Sequence, residues 1–490
     1  MFQLYKGLYG AVAWKDRLSR WFPVQQGVRQ GGILSPLLYL VYIDGLIQQL
    51  RKSGAGCRVL CRYTGTLVLA DDVVLIANRA EELQSMLQTV YKYTKQWHYD
   101  INPTKSAVVI CNPGKRTANT QWNFGPNTIP VQTSHPHLGI LRSSARSDHT
   151  HQIFQTGNRS LYSLTGTGAY RRGLSPVIIS SMWKTFCVPR MLYGVEALNL
   201  TEREKKALDK MQIQLLRTLL GLPRSAPLEA VPLLTGLPSM LDTINLLHLR
   251  LLGKILSLPS HRIEHRLFTS AVCLEPTIRT VRVMKAILLR YDLPPLPDLI
   301  QQAYPYATWK KLATEAVERK ALSSLSNEAS RKSSLLLFHH TDLSLLSNVF
   351  PSIIHPAHLR LAINIKAQLL TGTYLTMARL LKISKLTSDP SCPACHASEE
   401  SVSHLVSECK AYAVERENLL EHFPNNALVA LKEVTGTGPH VAKTKLILLG
   451  IVDNVSYQFP DFHSITLQFL LDIHYVRQRI VDQTTAHHHQ

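Results

Sequence analysis

Residues 67–77 read LVLADDVVLIA. Apolar, largely β-branched residues run into Asp71 and Asp72 and run out again. That is the pattern of a β-hairpin with both carboxylates at its tip. Two adjacent like charges beyond buried strands are costly unless a cation sits beside them. Carboxylate oxygens suit a hard divalent ion such as Mg²⁺. An isolated Asp-Asp pair is most often a solvated turn, so its meaning rests on its flanks.

Upstream, Gly27, Gly31 and Gly32 bracket Arg29 and Gln30, and a helix start follows. Ser35 suits the N-cap and Pro36 the first helical position. Leu37, Leu38, Val41, Ile43, Leu46, Ile47 and Leu50 then give a broad apolar face. Residues 2–14 read as a short helix. Residues 58–62 and 66–70 read as strands joined by a Tyr63-Thr64-Gly65 turn.

Downstream, residues 81–97 have helical spacing, with Leu83, Met86, Leu87, Val90, Tyr91 and Thr94 on one side. Asn102-Pro103 ends that helix. Residues 104–110 read as a strand with Lys105 near its start. After a Gly- and Pro-containing loop, residues 137–141 read as a last strand. This order predicts an α+β domain. Beyond residue 141 the apolar spacing is helical, and the Pro-rich 292–297 stretch predicts a hinge or boundary.

The chain has 490 residues, of which 45% are hydrophobic, which excludes a disordered polypeptide. Lys plus Arg number 54 against 34 Asp plus Glu, for a net charge of +20. Such a balance points to a polyanionic partner, nucleic acid first and an anionic membrane surface second. No apolar run is long enough to span a bilayer, and no secretory leader is visible at the start. Eight cysteines do not make a disulfide framework in so long a chain. The expected setting is reducing and intracellular, nuclear or cytoplasmic, with no membrane contact.

GVRQGGILSP, LADDVVLIA, NPTK and HPHLGI, in that order, resemble the palm of a reverse transcriptase of the LINE-type, non-LTR retrotransposon kind. The resemblance implies a partial polymerase palm, an antiparallel sheet with helices, over 1–141. It further implies a helical thumb over 142–230, carrying RRGLSP and PRMLYGVE. A helical connection region (231–385), a zinc knuckle (386–415) and a C-terminal helical segment (416–490) would follow.

It implies two-metal nucleotidyl transfer with Mg²⁺ on Asp71, supported by Asp72. The two ions would lie roughly 3.5–4 Å apart. Arg29, Gln30 and Gly31 would line the incoming-nucleotide pocket, Lys105 would assist the leaving pyrophosphate, and Leu138-Gly139 would grip the primer end. The partners implied are an RNA template and a DNA primer.

The family pattern needs one more aspartate, on an apolar strand before the Gly-Gln loop. The carboxylate preceding Gly27 is Asp16, set in a polar Lys15-Asp16-Arg17 stretch. The expectation is therefore a C-terminal portion of such a polymerase, lacking the fingers and that aspartate, and inactive alone. The alternatives are a non-enzymatic nucleic-acid-binding remnant using the thumb and knuckle, and a host-adopted structural protein.

Cys392, Cys395, His404 and Cys409 follow C-x2-C-x8-H-x4-C, a donor set and spacing suited to a tetrahedral structural Zn²⁺. The pattern is similar to the C-terminal zinc knuckle of LINE proteins. Such a knuckle on a basic chain grips single-stranded nucleic acid. His396 is a rival ligand. The intervening Glu399, Glu400 and Glu408 read as a hydrophilic loop that metal must hold together. Cys57, Cys61, Cys111, Cys187 and Cys273 fit no ligand pattern and read as small buried hydrophobes. Asp461 and Asp472 hint at a nuclease pair, but 461–483 reads better as one amphipathic helix.

Overall fold

The structure is a computed structural model. It describes residues 7–24, 27–28, 31–111, 120–145, 147–166, 174–274, 277–350, 352, 356–384, 389–396, 399–434 and 439–487. The chain divides into two compact units, Met1–Arg146 and Ser147–Gln490.

The first unit mixes helices with small two-stranded pairings. Strands β1 (Tyr9–Gly10) and β4 (Phe22–Pro23) pair antiparallel, as do β2 (Ala13–Trp14) and β3 (Arg17–Leu18). The short helix expected over 2–14 is therefore replaced by strand from Tyr9 on, and residues 2–6 lie outside the described residues. Asp16 sits in the exposed β2–β3 turn, as its polar neighbours require.

Helix α1 (Ser35–Lys52) begins with Pro36 in its first turn, but Leu34, not Ser35, holds the N-cap position. Its apolar face is only half used: Ile43, Leu46 and Leu50 are buried, whereas Leu37 is 60% and Val41 75% exposed. Arg58–Arg62 is not one strand. It forms a tight hairpin, β5 (Arg58–Val59) with β6 (Arg62–Tyr63), whose corner Leu60 and Cys61 both take positive φ. Strands β7 (Thr66–Leu69) and β8 (Asp72–Leu75) form the next hairpin, with Leu69 opposite Asp72.

Helix α2 (Ala80–Gln96) buries Met86, Leu87, Val90, Tyr93 and Thr94, close to the face expected from its spacing. It packs on α1 where Gly45 leaves room: a Cβ there would lie 2.7 Å from the Tyr93 hydroxyl, which donates to the Tyr42 carbonyl. Strand β9 (Val108–Val109) pairs in parallel with β12 (Val131–Gln132). The hairpin of β10 (Trp122–Phe124) and β11 (Asn127–Ile129) puts Trp122, Phe124 and Ile129 into the α1–α2 core. Residues 137–141 are not a single strand either. They are the bend of the hairpin β13 (Ser134–His137) with β14 (Ile140–Ser143).

The second unit is mainly helical, with one short antiparallel pairing of Ile451–Val452 with Val455–Ser456. Helices α3 (Ser147–Gly166), α4 (Pro176–Met182) and α5 (Val188–Met191) precede α6 (Glu202–Leu219), with a π-helical turn, Trp183–Cys187, between α4 and α5. Pro189 has no N–H to give to the preceding turn, which favours that i→i+5 bulge. Helices α7 (Ala230–Thr235), α8 (Met240–Leu256), α9 (Ile263–Leu274), α10 (Arg279–Arg290), α11 (Leu296–Gln301) and α12 (Tyr306–Ala329) follow. Helix α8 packs between α6 and α12. Gly253 lets α12 approach: a Cβ there would overlap the Trp309 ring, and the Trp309 indole donates to the Leu249 carbonyl at 2.7 Å. The Pro-rich stretch lies inside this unit, with Leu293 and Leu296 buried.

Helices α13 (Arg360–Leu370), α14 (Met377–Ser384), α15 (Ala413–Leu420), α16 (Asn425–Lys432), α17 (Pro439–Leu449) and α18 (Phe462–His487) complete the unit. One buried apolar cluster runs from Ile153 to Ile473 and takes in Cys392 and Cys409. Among the described residues no helix is long and apolar enough to cross a membrane.

Candidate functional site

The β7–β8 hairpin presents Asp71 in its two-residue turn and Asp72 at the first position of β8. Ala70 turns the chain with φ +51°, and both carboxylates are exposed. Tyr39 of α1 faces this tip. Burial, and then the charge of Asp71, raise its phenol above the ordinary tyrosine range. Among the described residues no third His, Cys or carboxylate ligand joins the two aspartates.

Lys105 is exposed and lies on a 3-10 turn, Pro103–Lys105, not on a strand. Asn102 is the cause: its side-chain oxygen accepts the Thr104 and Lys105 N–H groups at 2.9 and 3.4 Å. With Pro103 following, this is a capped turn. Leu138 and Gly139 form the corner of β13–β14, both at positive φ and both exposed. Gly31 is exposed, with φ +82°. Arg29 and Gln30 lie outside the described residues.

The sulfur-rich cluster is assembled. Cys392, Cys395, His404 and Cys409 bring one ligand atom each to within 4.8 Å of one another. The Cys392 and Cys409 sulfurs are 3.8 Å apart, and the Cys395 sulfur lies 3.4 Å from His404 Nε2. Sulfurs bound at ~2.3 Å around a tetrahedral ion stand at roughly this separation. His396 is exposed and is not part of the group.

Local chemistry explains the assembly. The Ala394 and Cys395 N–H groups point at the Cys392 sulfur, and the Ala411 N–H at Cys409. Residues 404–408 form a π-helical turn, closed by the Cys409 N–H donating to the His404 carbonyl at 2.8 Å. In an α-helix, residues five apart diverge, whereas an i→i+5 turn brings them to one side. His404 Nδ1 faces the Glu408 carboxylate at 3.9 Å, a partner that orients Nε2 toward a metal. Burial pushes the Cys409 thiol up to about 12 and also raises Cys392. A bound cation would offset that cost and take the thiolates directly. The buried Tyr412 hydroxyl has no hydrogen-bond partner among the described residues and lies near both sulfurs.

Two expectations are corrected here. Glu400 is not part of a hydrophilic loop. It is fully buried and accepts two bonds from Arg477 of α18, at 2.7 and 2.8 Å, and one from the Met377 N–H at 2.7 Å. The cluster is thus framed by the apolar core, and metal is not its only support. Of the five other cysteines only Cys187 is buried: Cys61, Cys111 and Cys273 are exposed and Cys57 is half-buried. Asp472 accepts from Gln468 within α18, as the one-helix reading requires.

Residues 3–140 match the family described as reverse transcriptase (RNA-dependent DNA polymerase). The chain is similar to the retrovirus-related Pol polyprotein from type-1 retrotransposable element R2 of Popillia japonica. That match is 26% identical over 184 residues, 36% of this chain and 30% of the relative. The corresponding polyprotein of Nasonia vitripennis is 31% identical over 115 residues, 23% of this chain and 11% of the relative. The matched parts are thus less than a third of each relative's length. The Asp71–Asp72 hairpin therefore lies within a domain of the reverse-transcriptase family, and the relatives it resembles are polyproteins of a type-1 retrotransposable element.

Proposed function

We propose that this chain is a portion of a non-LTR retrotransposon polymerase that binds an RNA template and a DNA primer. Its chemistry is nucleotidyl transfer on two Mg²⁺ ions. The observation that carries this reading is the Asp71–Asp72 turn inside the matched domain. Asp71 and Asp72 would hold Mg²⁺, which would stabilise the attacking and leaving oxygens. Lys105 would donate to the departing pyrophosphate, Gly31 with Arg29 and Gln30 would face the nucleotide, and Leu138-Gly139 would support the primer end. Residues 1–141 would be palm, 142–230 thumb, 231–385 connection, 386–415 zinc knuckle and 416–490 the terminal helical segment.

The Cys3His group fits a structural Zn²⁺. Its four donors are complete, three of them are buried, and no position is left for substrate. The two aspartates by contrast stand exposed without a third ligand among the described residues. We therefore expect the 490-residue chain to bind primer–template yet give no extension by itself. That same exposure favours, as a second reading, a nucleic-acid-binding protein without catalysis.

Homopolymer primer extension with Mg²⁺ or Mn²⁺, run beside a binding series in salt, tests both readings. Salt-sensitive binding without extension is expected. Extension lost in Asp71→Ala would show that the two carboxylates suffice. No binding at low salt would overturn the polymerase assignment.

A further inference from the structure

Helices α6 and α10 both pack on α8, and a contact of 3.7 Å between Arg290 and Glu202 joins the C-terminal end of α10 to the start of α6. Asn199, just before α6, lies alongside α10 as well: its carbonyl accepts from Arg279 at 2.9 Å and its amide donates to Thr280 at 3.1 Å. The two helices therefore share one surface region of the second unit.

That region is basic. Helix α10 buries Val281, Met284, Ile287 and Leu288, and its exposed side carries Arg279, Arg282, Lys285 and Arg290. At 100° per residue those four cations fall on the side opposite the buried set. Helix α6 buries Leu208, Met211, Leu215 and Leu216 and exposes Arg203, Lys206 and Lys210, at i, i+3 and i+7, along one stripe.

Of these cations Arg290 is paired, with Glu202, and the other nearby carboxylates are engaged elsewhere. Glu202 holds the buried Lys205 at 3.2 Å and Arg290. Glu204 closes the capping box with Thr201. Asp209, raised by burial, accepts the Met240 N–H at 2.9 Å. Asp292, just after α10, faces Lys320 at 3.5 Å. Arg203, Lys206, Lys210, Arg282 and Lys285 form no ion pair among the described residues.

We infer that the exposed faces of α6 and α10 form a track for the phosphate backbone of a nucleic acid, built from residues other than those of the Asp71–Asp72 hairpin and the Cys/His cluster. A membrane surface fits poorly. A basic helix lying on lipid needs its apolar face, and here that face is in the core, with Leu289 the one large apolar residue of α10 left exposed. No base-reading geometry is implied, so binding by the track is independent of sequence. This inference rests on the nucleic-acid-binding reading above and assigns part of it to a place.

The test measures affinity for a mixed-sequence DNA duplex and for a single-stranded RNA across a salt series. It compares the full chain with Lys206→Gln/Arg282→Gln/Lys285→Gln and with Lys310→Gln/Arg319→Gln/Lys432→Gln. The second triple removes the same charge from exposed positions elsewhere. Each phosphate contact contributes about 0.7–0.9 to the slope of log affinity against log salt. The track triple should lower that slope by about 2–3, equally for different sequences, and the control triple should leave it nearly unchanged. Equal loss in both triples would overturn the track while leaving nucleic-acid binding intact. No binding by the wild-type chain would overturn the binding reading itself. Unchanged nucleic-acid affinity in the track triple, with lost binding to phosphatidylcholine–phosphatidylserine vesicles, would assign the face to lipid instead.

Discussion

The Asp71–Asp72 hairpin and the Cys/His cluster are both short-range motifs of potential metal ligands, and they end in opposite environments. The aspartates are exposed at the tip of a two-stranded ribbon. The thiols and imidazole sit in or against the apolar core of the second unit, where Cys392 and Cys409 have no exposed surface. A carboxylate pair in water is hydrated whether or not a cation is present. A buried thiol stays protonated until a metal takes it. An ion at the first site would therefore be structurally dispensable, whereas one bound by the buried thiols would contribute to the stability of the second unit.

The sharpest way to break this contrast is to remove a ligand from each. Cys409→Ser should release the zinc and destabilise the second unit by several kcal/mol, read by metal analysis and thermal melting. Zinc-finger peptides gain about 10–16 kcal/mol from their metal, and here the core supplies part of that support. Asp71→Asn should change stability by less than about 0.5 kcal/mol, as exposed substitutions do. If chelation leaves the melting temperature unchanged, the core alone holds the cluster and the contrast collapses.

A second test asks how the cluster is framed. Glu400→Gln leaves the Arg477 guanidinium buried without its counter-charge, and breaking such a pair costs about 3–5 kcal/mol. Urea unfolding followed by circular dichroism should show the loss. A change below about 1 kcal/mol would mean that water reaches Arg477 and that the frame is looser than the geometry indicates.

The smallest effect is one of pH. Lys366 is fully buried, donates to the Val349 carbonyl at 2.7 Å and lies 5.3 Å from the centres of both the Phe350 and Phe462 rings. Burial lowers its amine from 10.5 to about 7. The unfolded chain therefore holds more protons than the folded one between about pH 7 and 10.5, and stability rises with pH in that window. Below about pH 7 the penalty is fully present. From pH 7 to 9 the gain should be about 2 kcal/mol in urea titrations, and Lys366→Met should abolish it. No such rise in the wild-type chain would show that the two rings and the carbonyl keep the amine charged.

What the sequence made legible follows the range of the interactions. The hairpin at Asp71, the α2 face and the four ligands of the Cys/His cluster all rest on neighbours close in the chain, and the helical period marks the second unit. Capping departs from the sequence pattern where side chains compete: Asn102 draws Lys105 into a turn, and Leu34, not Ser35, holds the N-cap. The Glu400–Arg477 pair was invisible because its members are 77 residues apart and both look like surface residues. The same holds for Lys366, whose burial is set by Phe462 of a distant helix. Exposed Cys61 and Cys273 show the converse, small sulfur residues assigned to a core that they do not reach.

The clasp between Glu400 and Arg477 also bears on what a nonsense mutation would do. A stop codon ahead of Arg477 would interrupt helix α18. It would also strip Glu400 of its counter-charge a single helical turn's worth of residues before His404. The lesion would thus be felt at the sulfur ligands, far upstream of the nonsense mutation.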